Sequence, residues 1–538
     1  MDQENSKLSR RSVLKGLAGI PIVGGVLAGA LVESGSNQKN KERILKALNI
    51  QASPPPPVGS MEGDPIKIGI IGFGGRGEHL CRAAGHATGD WLENAQPGAI
   101  KAFKEQENLN TKITAVCDLF TVRAKKAITL AEGVKRFDSY QKLLEKGDVD
   151  AVIIATADHW HAPISIAALD AGKHVYVEKP MTHNLAETYA LRDAVKRNNR
   201  TVFAVGHQHR QTQSFLTAQD IIKKKILGHI SLIQVNTNRN SDNGAWQYGI
   251  HSEASPATID WDQFLGDAPK IPFNKEHFFR WRKWWAYGSG LSGDLMTHDY
   301  DRINCILNMG VPQYVSASGG IYTHRDGRNV PDVYQVNMEY PELQTGRNDE
   351  KTMGMTLVYS ATLGNQHNRS TLLMGTEASM ELGNSLTVYV DPASQQFKEM
   401  MQDNVVEGGE SIYSYDPAGN NTDGITSATS KYFADKGLLW TYRDGKRVDS
   451  TFLHIKEWLS CIRNGGNPSC GIKEGFEEAI TAHMAGLAYK IGRRMEWDPL
   501  KEEIIALPGE NLDEILLANT DRIYHGAMAN DLANSMKV

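Results

Sequence analysis

The sequence predicts an α/β chain with two unlike halves: a doubly wound parallel sheet first, then an α+β domain built on a mainly antiparallel open sheet. Three observations carry that expectation. A β-branched run, Ile66-Lys67-Ile68-Gly69-Ile70-Ile71, passes straight into a glycine-rich turn. Strand-like and helix-like segments then alternate to about residue 205, the pattern of parallel strands joined by crossover helices. Beyond residue 206 the strand candidates follow one another closely, as antiparallel strands do.

With 538 residues, 41% hydrophobic and 22% charged, the chain has material for more than one core, which excludes disorder as its main state. A net charge of -5 and a pI near 6.4 give no global positive field, arguing against nucleic acid as a partner. Five cysteines without C-x-x-C pairing indicate neither a disulfide framework nor a cysteine zinc cluster.

Residues 1–30 read as an export address. Ser9-Arg10-Arg11-Ser12-Val13-Leu14-Lys15 runs into an apolar stretch, Gly16 to Val32, and resembles a twin-arginine signal peptide. That stretch has 17 residues, five glycines and Pro21, a poor match to the about 20 apolar residues of a spanning helix. Ala28-Gly29-Ala30 has the small-x-small form of a cleavage site, so the expected location is periplasmic. Contact with a membrane is then limited to transient export, the alternative being an uncleaved anchor. Residues 31–64, ending in Pro54-Pro55-Pro56-Pro57, read as a linker.

Residues 65–205 read as a Rossmann-type nucleotide-binding domain. In Gly72-Phe73-Gly74-Gly75-Arg76-Gly77, Gly72 permits the tight turn, Gly74 lets a pyrophosphate approach the backbone, and Gly77 allows close helix packing. The helix N-terminus adds partial positive charge. A second strand, Lys112 to Cys117, ends in Asp118, whose carboxylate suits an adenosine ribose and repels a 2′-phosphate, favouring NAD over NADP. Asp118 lies 41 positions beyond Gly77 against a usual spacing of about 20, so residues 85 to 110 form an insertion. Further strands are expected at Ala151 to Ala155, His174 to Val177 and Thr201 to Val205, with a helix from Pro163 to Ala171. Functional side chains gather beyond the carboxyl ends of such strands, where Thr156-Ala157-Asp158-His159-Trp160-His161 and Glu178-Lys179-Pro180 lie.

Residues 206–500 read as the second domain, with strands at 233–238, 333–339, 355–359, 370–374, 380–382 and 386–390. Late helices are expected from Phe452 to Ile462 and from Phe476 to Ile491, before a C-terminal tail, residues 501–538. The open face of the sheet is expected to cover the cofactor or to join copies of the chain as a homo-oligomer. Gly288-Ser289-Gly290-Leu291-Ser292-Gly293 leads into a helix that puts Asp294 and His298, four positions apart, on one face. An ordinary i,i+4 ion pair is the bland reading of that spacing.

Together the glycine turn, Asp118, the T-x-D-H-W-H segment, Glu178-Lys179-Pro180 and Asp294-x-x-x-His298 resemble, from about residue 65 to about residue 500, the glucose-fructose oxidoreductase, inositol dehydrogenase and MocA superfamily. Ala157 departs from the proline common there. The resemblance implies bound NAD, a sugar-like small-molecule substrate, and a cis proline after Lys179. It also implies His298 as the base at a sugar hydroxyl, Lys179 polarising that oxygen, and Asp294 orienting the sugar or the imidazole. Thr156, His159, Trp160, His161, Glu178 and Pro180 are expected at the cofactor. Trp281, Trp284, Trp285 and Tyr287 are expected either to stack on a sugar, with Arg280, Arg282 and Lys283 beside them binding hydroxyls or a uronate, or to pack an interdomain core. His159-x-His161 and His207-x-His209 carry no metal expectation, since alternating histidines lack further ligands. Three functions stay open: a sugar or polyol oxidoreductase that recycles bound NAD, a glycosidase that uses NAD in an oxidation–elimination cycle, and a non-catalytic sensor. The superfamily's NAD-dependent glycosidases lack the lysine of Glu-Lys-Pro, so Lys179 favours oxidoreduction.

Overall fold

The computed structural model describes residues 38–341, 353–367, 369–383, 385–415, 440–443 and 446–521. The twin-arginine segment, residues 1–30, lies outside the described residues. Among the described residues no helix is long and apolar enough to cross a membrane.

Six parallel strands make the first sheet: β1 (Ile66–Ile71), β2 (Thr111–Cys117), β3 (Lys135–Phe137), β4 (Ala151–Ile154), β5 (His174–Val177) and β6 (Phe203–Val205), in the order β3-β2-β1-β4-β5-β6. The inner strands are apolar without alternation because helices cover both faces of the sheet. Ile68 and Ile70 pack with Leu80, Ile455 and Trp458 on one side, whereas Val152 and Ile154 pack with Leu143, Ile164 and Leu169 on the other. β3 escapes sequence reading because its three residues, Lys-Arg-Phe, sit at an edge and show no apolar face. The insertion after the glycine helix forms two short helices, Gly89–Asn94 and Pro97–Glu105.

The second sheet adds β7 (Ile230–Asn238), β8 (Tyr314–Gly320), β9 (Val333–Tyr340), β10 (Met355–Thr362), β11 (Thr371–Gly375), β12 (Ala378–Leu382), β13 (Leu386–Val390) and β14 (Ser411–Tyr415). A hairpin, β15 (Trp440–Arg443) with β16 (Lys446–Asp449), stands apart. β17 (Met495–Asp498) and β18 (Glu503–Ile504) complete the large sheet, which has ten strands among the described residues, in the order β14-β13-β12-β11-β7-β10-β9-β8-β17-β18. Every pairing is antiparallel except β7 with β10. Alternating residues Tyr334, Val336 and Met338 face the helix Ile472–Ile491, which fills that face with Phe476, Ile480, Met484 and Leu487. Tyr334 Oη donates to the Ala485 carbonyl at 2.7 Å.

Three segments depart from the expected division of the chain. Residues 38–48, assigned to a linker, form a helix whose Ile44 and Leu48, one turn apart, are buried in the second domain's core. Its lysine-rich surroundings mask those two anchors. The helix Ser450–Asn464, assigned to the second domain, instead closes the first sheet: Phe452, Ile455, Trp458 and Leu459 belong to its core. Tyr176 Oη on β5 is also hydrogen-bonded to His454 Nδ1 at 2.9 Å. The short helix Leu512–Leu517, within the expected tail, buries Leu512, Ile515 and Leu516 in the second core.

Truncating Trp458, fully buried between this returning helix and the sheet, leaves a large cavity. The expected outcome of Trp458→Ala is a loss of about 3–5 kcal/mol in stability. Urea denaturation checks it, with the exposed Lys101→Ala as a control expected to change stability by less than about 0.5 kcal/mol.

Candidate active site

A cavity of about 620 Å³ runs from the glycine turn to the helix after residue 290, so both domains wall it. At its nucleotide end, Gly72 has φ +87°, and a Cβ there would meet the Ala155 carbonyl oxygen at 2.6 Å. A Cβ on Gly77 would lie 2.1 Å from the Gly72 carbonyl oxygen, so neither position admits a side chain. A Cβ on Gly75 would meet nothing within 4 Å. Space therefore remains before the N-terminus of the helix Gly75–Ala83, and this cradle fits a dinucleotide pyrophosphate.

Asp118 borders the cavity at the end of β2. Its carboxylate accepts from the Phe73 amide at 2.6 Å and from the Phe120 amide at 2.8 Å, so it also braces the glycine turn. Burial raises its pKa, partly offset by Arg123 nearby. Gly74, Gly75, Arg76, Thr156, Trp160, His161, Glu178 and Lys179 line the same space. Arg76 Nε donates to Glu178 Oε1 at 2.7 Å and ties the glycine turn to the Glu178-Lys179-Pro180 loop. His161 Nδ1 donates to the Pro180 carbonyl at 2.7 Å, and the Lys179–Pro180 peptide is cis.

Four expected cofactor contacts lie behind the wall. Phe73 packs in the first sheet's core, while Gly77 and Pro180 shape the turn and loop without bordering the cavity. His159 turns into an aromatic cluster, 5.5 Å from the Phe264 ring and 5.4 Å from that of Tyr287. Its Nε2 donates to the Phe264 carbonyl at 2.8 Å, and burial pushes its pKa down to about 4. The apolar surroundings of residues 264–287 claim this ring.

Lys179, Asp294 and His298 all reach the cavity. Lys179 Nζ lies 2.9 Å from Asp294 Oδ1 and also contacts the Asp294 carbonyl oxygen. Arg282 Nε donates to Oδ1 at 3.0 Å and Trp246 Nε1 to Oδ2 at 2.9 Å. Burial alone would raise the Asp294 carboxyl, but Lys179 and Arg282 beside it hold it well below the usual carboxylate range. No Asp294–His298 ion pair forms among the described residues, because the turn Ser292–Met296 is π-helical and Asp294 is committed to these cations. The i,i+4 pair therefore does not exist, and Asp294 holds Lys179 and Arg282 rather than the imidazole.

His298 lies 5.2 Å from the ring of His209 and 5.5 Å from that of His207, and its Nδ1 is buried without a partner among the described residues. Burial, reinforced by Lys179, drives its pKa far down, leaving a neutral imidazole that can accept a proton. His209 also borders the cavity, and neither of its ring nitrogens has a partner among the described residues. Behind them His207 Nε2 meets Glu478 Oε2 at 2.5 Å. No group of three or more metal-ligating side chains forms among the described residues.

Of the four aromatic residues expected at a substrate, only Trp281 borders the cavity. Trp284 stacks on His277 at 3.7 Å, Trp285 lies under Lys490 Nζ in the second core, and Tyr287 joins the Phe264 cluster. The packing alternative holds for those three, because a run of consecutive bulky rings cannot all face one opening. Arg280 is bound by Glu276 and Lys283 by Asp326, which leaves Arg282 as the cation of this stretch that borders the cavity.

Sequence reasoning missed Asp158, Arg123, His209 and Arg239, which also line the cavity, whereas Arg282, one of the basic groups expected beside Trp281, does border it. Asp158 stands inside the T-x-D-H-W-H segment, and its Oδ2 accepts from the Ser289 amide at 3.0 Å. Burial, opposed by Arg282, pushes its carboxyl up to about 7. The unfolded chain deprotonates near the ordinary value of about 3.9. The folded protein therefore loses stability through this group as pH rises from about 4 to about 7, and no further above that. The denaturation midpoint of Asp158→Asn, relative to the unmodified protein, is expected to climb across that window and then level off. A difference independent of pH would contradict the assignment.

Models of one oxidoreductase family match most of the chain: its NAD-binding Rossmann fold matches residues 66–207 and its C-terminal alpha/beta domain residues 220–496. An inositol 2-dehydrogenase of Salmonella paratyphi B is 28% identical over 165 residues, 30% of this chain and 43% of that relative. A glycosyl hydrolase family 109 protein of Streptomyces filamentosus is 31% identical over 210 residues, 36% of this chain and 38% of that relative. The chain thus aligns with less than half the length of either. A levoglucosan dehydrogenase structure, in complex with NADH and levoglucosan, superposes with a TM-score of 0.52 at 20% identity, covering 83% of this chain and 100% of that one. At that identity the likeness is one of fold. The two family models account for the glycine cradle and for the mixed sheet alike, and the chain belongs to the Gfo/Idh/MocA oxidoreductase family.

Proposed function

We propose that the protein is an NAD-dependent oxidoreductase acting on a sugar, a polyol or a sugar derivative, and that its nicotinamide stays bound and is recycled. The observation that carries this reading is the convergence of Lys179, Asp294 and His298 on the cavity that begins at the glycine cradle. Bound NAD supplies a hydride acceptor. His298, kept neutral by burial, takes the proton of the substrate hydroxyl. Lys179 donates to that oxygen and stabilises the charge that develops there. Asp294 positions Lys179 through the 2.9 Å contact instead of touching the reacting atoms.

Lys179→Ala and His298→Ala are each expected to lower turnover roughly 10²–10⁴-fold while retaining NAD, since neither change reaches the cradle. Stopped-flow turnover and cofactor titration check both halves of that statement.

The second reading, a glycoside hydrolase in which oxidation and elimination alternate at bound NAD, is favoured by the likeness to the family 109 protein. Incubation of the NAD-loaded protein with sugars and aryl glycosides in deuterated water separates the two. Lasting nicotinamide reduction, reversed by a carbonyl sugar, supports oxidoreduction. Aglycone release with deuterium beside the oxidised carbon and no lasting reduction supports hydrolysis.

We further propose export of the folded, cofactor-loaded protein, on the strength of Arg10-Arg11 and the apolar stretch after it. An exported enzyme cannot exchange NADH with a cytoplasmic pool, which is why recycling belongs to the same reading. The double variant Arg10→Lys/Arg11→Lys is expected to remain in the cytoplasm, and equal periplasmic recovery of both forms on cell fractionation would overturn the export route.

A further inference from the structure

The end of the cavity that holds Lys179 and Asp294 carries more positive than negative charge. Lys179, Arg239 and Arg282 border it, and Asp294, paired with Lys179 and Arg282, is the carboxylate whose charge all three feel. Asp294 brings a single negative charge, and three donors already engage it: Lys179 and Arg282 at Oδ1 and Trp246 at Oδ2. Asp158, the other carboxyl group at this end, is bound to Ser289. Its value near 7 leaves it partly uncharged at neutral pH, so it adds little compensation.

Besides the N–H that Lys179 keeps for the reacting hydroxyl, the two arginines keep unused donors. Arg239 follows β7 directly, and its backbone amide donates to the Thr362 carbonyl at 2.8 Å, so the sheet fixes its position. Its side chain makes no hydrogen bond or ion pair among the described residues, and its Nε is buried without a partner. Arg282 spends only Nε on Asp294, which leaves its two terminal nitrogens free of protein partners among the described residues. The ring of Trp281 lies 4.1 Å beneath this guanidinium and holds its plane. A buried donor left unsatisfied beside uncompensated charge is costly, and a bound anion relieves both costs at once.

We propose that the substrate is an acidic sugar, with its carboxylate held by Arg239 and Arg282 and its reacting hydroxyl at Lys179 and His298. Guanidinium forks suit a planar carboxylate through paired N–H donors, which selects a uronate or an aldonate over its neutral counterpart. Trp281, borders the same space and offers a flat apolar surface to the sugar ring. This inference rests on the oxidoreductase reading for the hydroxyl, but the anion site stands on Arg239 and Arg282 alone.

The test pairs each acid with its neutral partner, such as methyl glucuronide with methyl glucoside and gluconate with sorbitol. Equilibrium binding to the NAD-loaded full chain is followed by calorimetry, and nicotinamide reduction is followed separately by absorbance. The acid of at least one pair is expected to bind about tenfold or more tightly than its neutral partner. Arg239→Gln is expected to abolish that preference, and Arg239→Lys to keep part of it, with cofactor retention showing that both variants fold. Equal binding within every pair, no binding of any acid, or a preference that survives Arg239→Gln would overturn the proposal. Acid preference without reduction of nicotinamide by any sugar would instead sink the oxidoreductase reading and leave the anion site in place.

Discussion

Lys179 and Asp294 come from different domains, the first from the loop after β5 and the second from the π-helical turn Ser292–Met296, and both are largely buried. Desolvating two charges is expensive, and a buried pair persists only where further hydrogen bonds satisfy both partners. Here Arg282 and Trp246 complete the carboxylate's shell, so the pair joins the two domains where proton transfer is proposed. Removing the Asp294 carboxylate would leave Lys179 buried without a counter-charge, whereas removing Lys179 leaves the carboxylate with Arg282 and Trp246. The geometry of the cavity therefore depends on this contact more than on any single apolar residue around it.

The nucleotide end has its own chain of dependence. Arg76 joins Glu178 to the glycine turn, and His79 on the same helix meets Asp449 at 2.9 Å. Asp449 caps the helix Ser450–Asn464 by accepting from the Thr451 amide at 2.8 Å. The segment that returns from the second domain thus packs the first sheet and also braces the helix that faces the pyrophosphate site. A domain boundary drawn along the sequence would cut the cradle from its support.

Local physics was legible in the sequence, and long-range physics was not. β1, β5 and β13 fall on the expected residues because strand, turn and burial there agree within a short window. Lys179, Asp294, His298 and Asp118 border one cavity because each sits just beyond a strand, in a turn or at the start of a helix, positions that a motif records. Trp284, Trp285 and Tyr287 could not be sorted from Trp281, since ring chemistry alone does not say which side of a backbone faces the opening. β3, the helix 38–48 and the returning helix owe their places to contacts with residues far away in the chain.

Arg239 shows what such distance hides. On paper it is one arginine after an alternating strand, where a solvated cation is the ordinary expectation. The parallel pairing of β7 with β10, the one such pair in that sheet among the described residues, carries the end of β7 to the cavity wall. There its neighbour Asp294 is already engaged by Lys179, Arg282 and Trp246. A surface charge becomes a binding group only because the fold denies it a protein partner while keeping it close to one. The same logic separates Arg282 from Arg280 and Lys283: acids on nearby segments neutralise the latter two, and only the first keeps donors for a ligand.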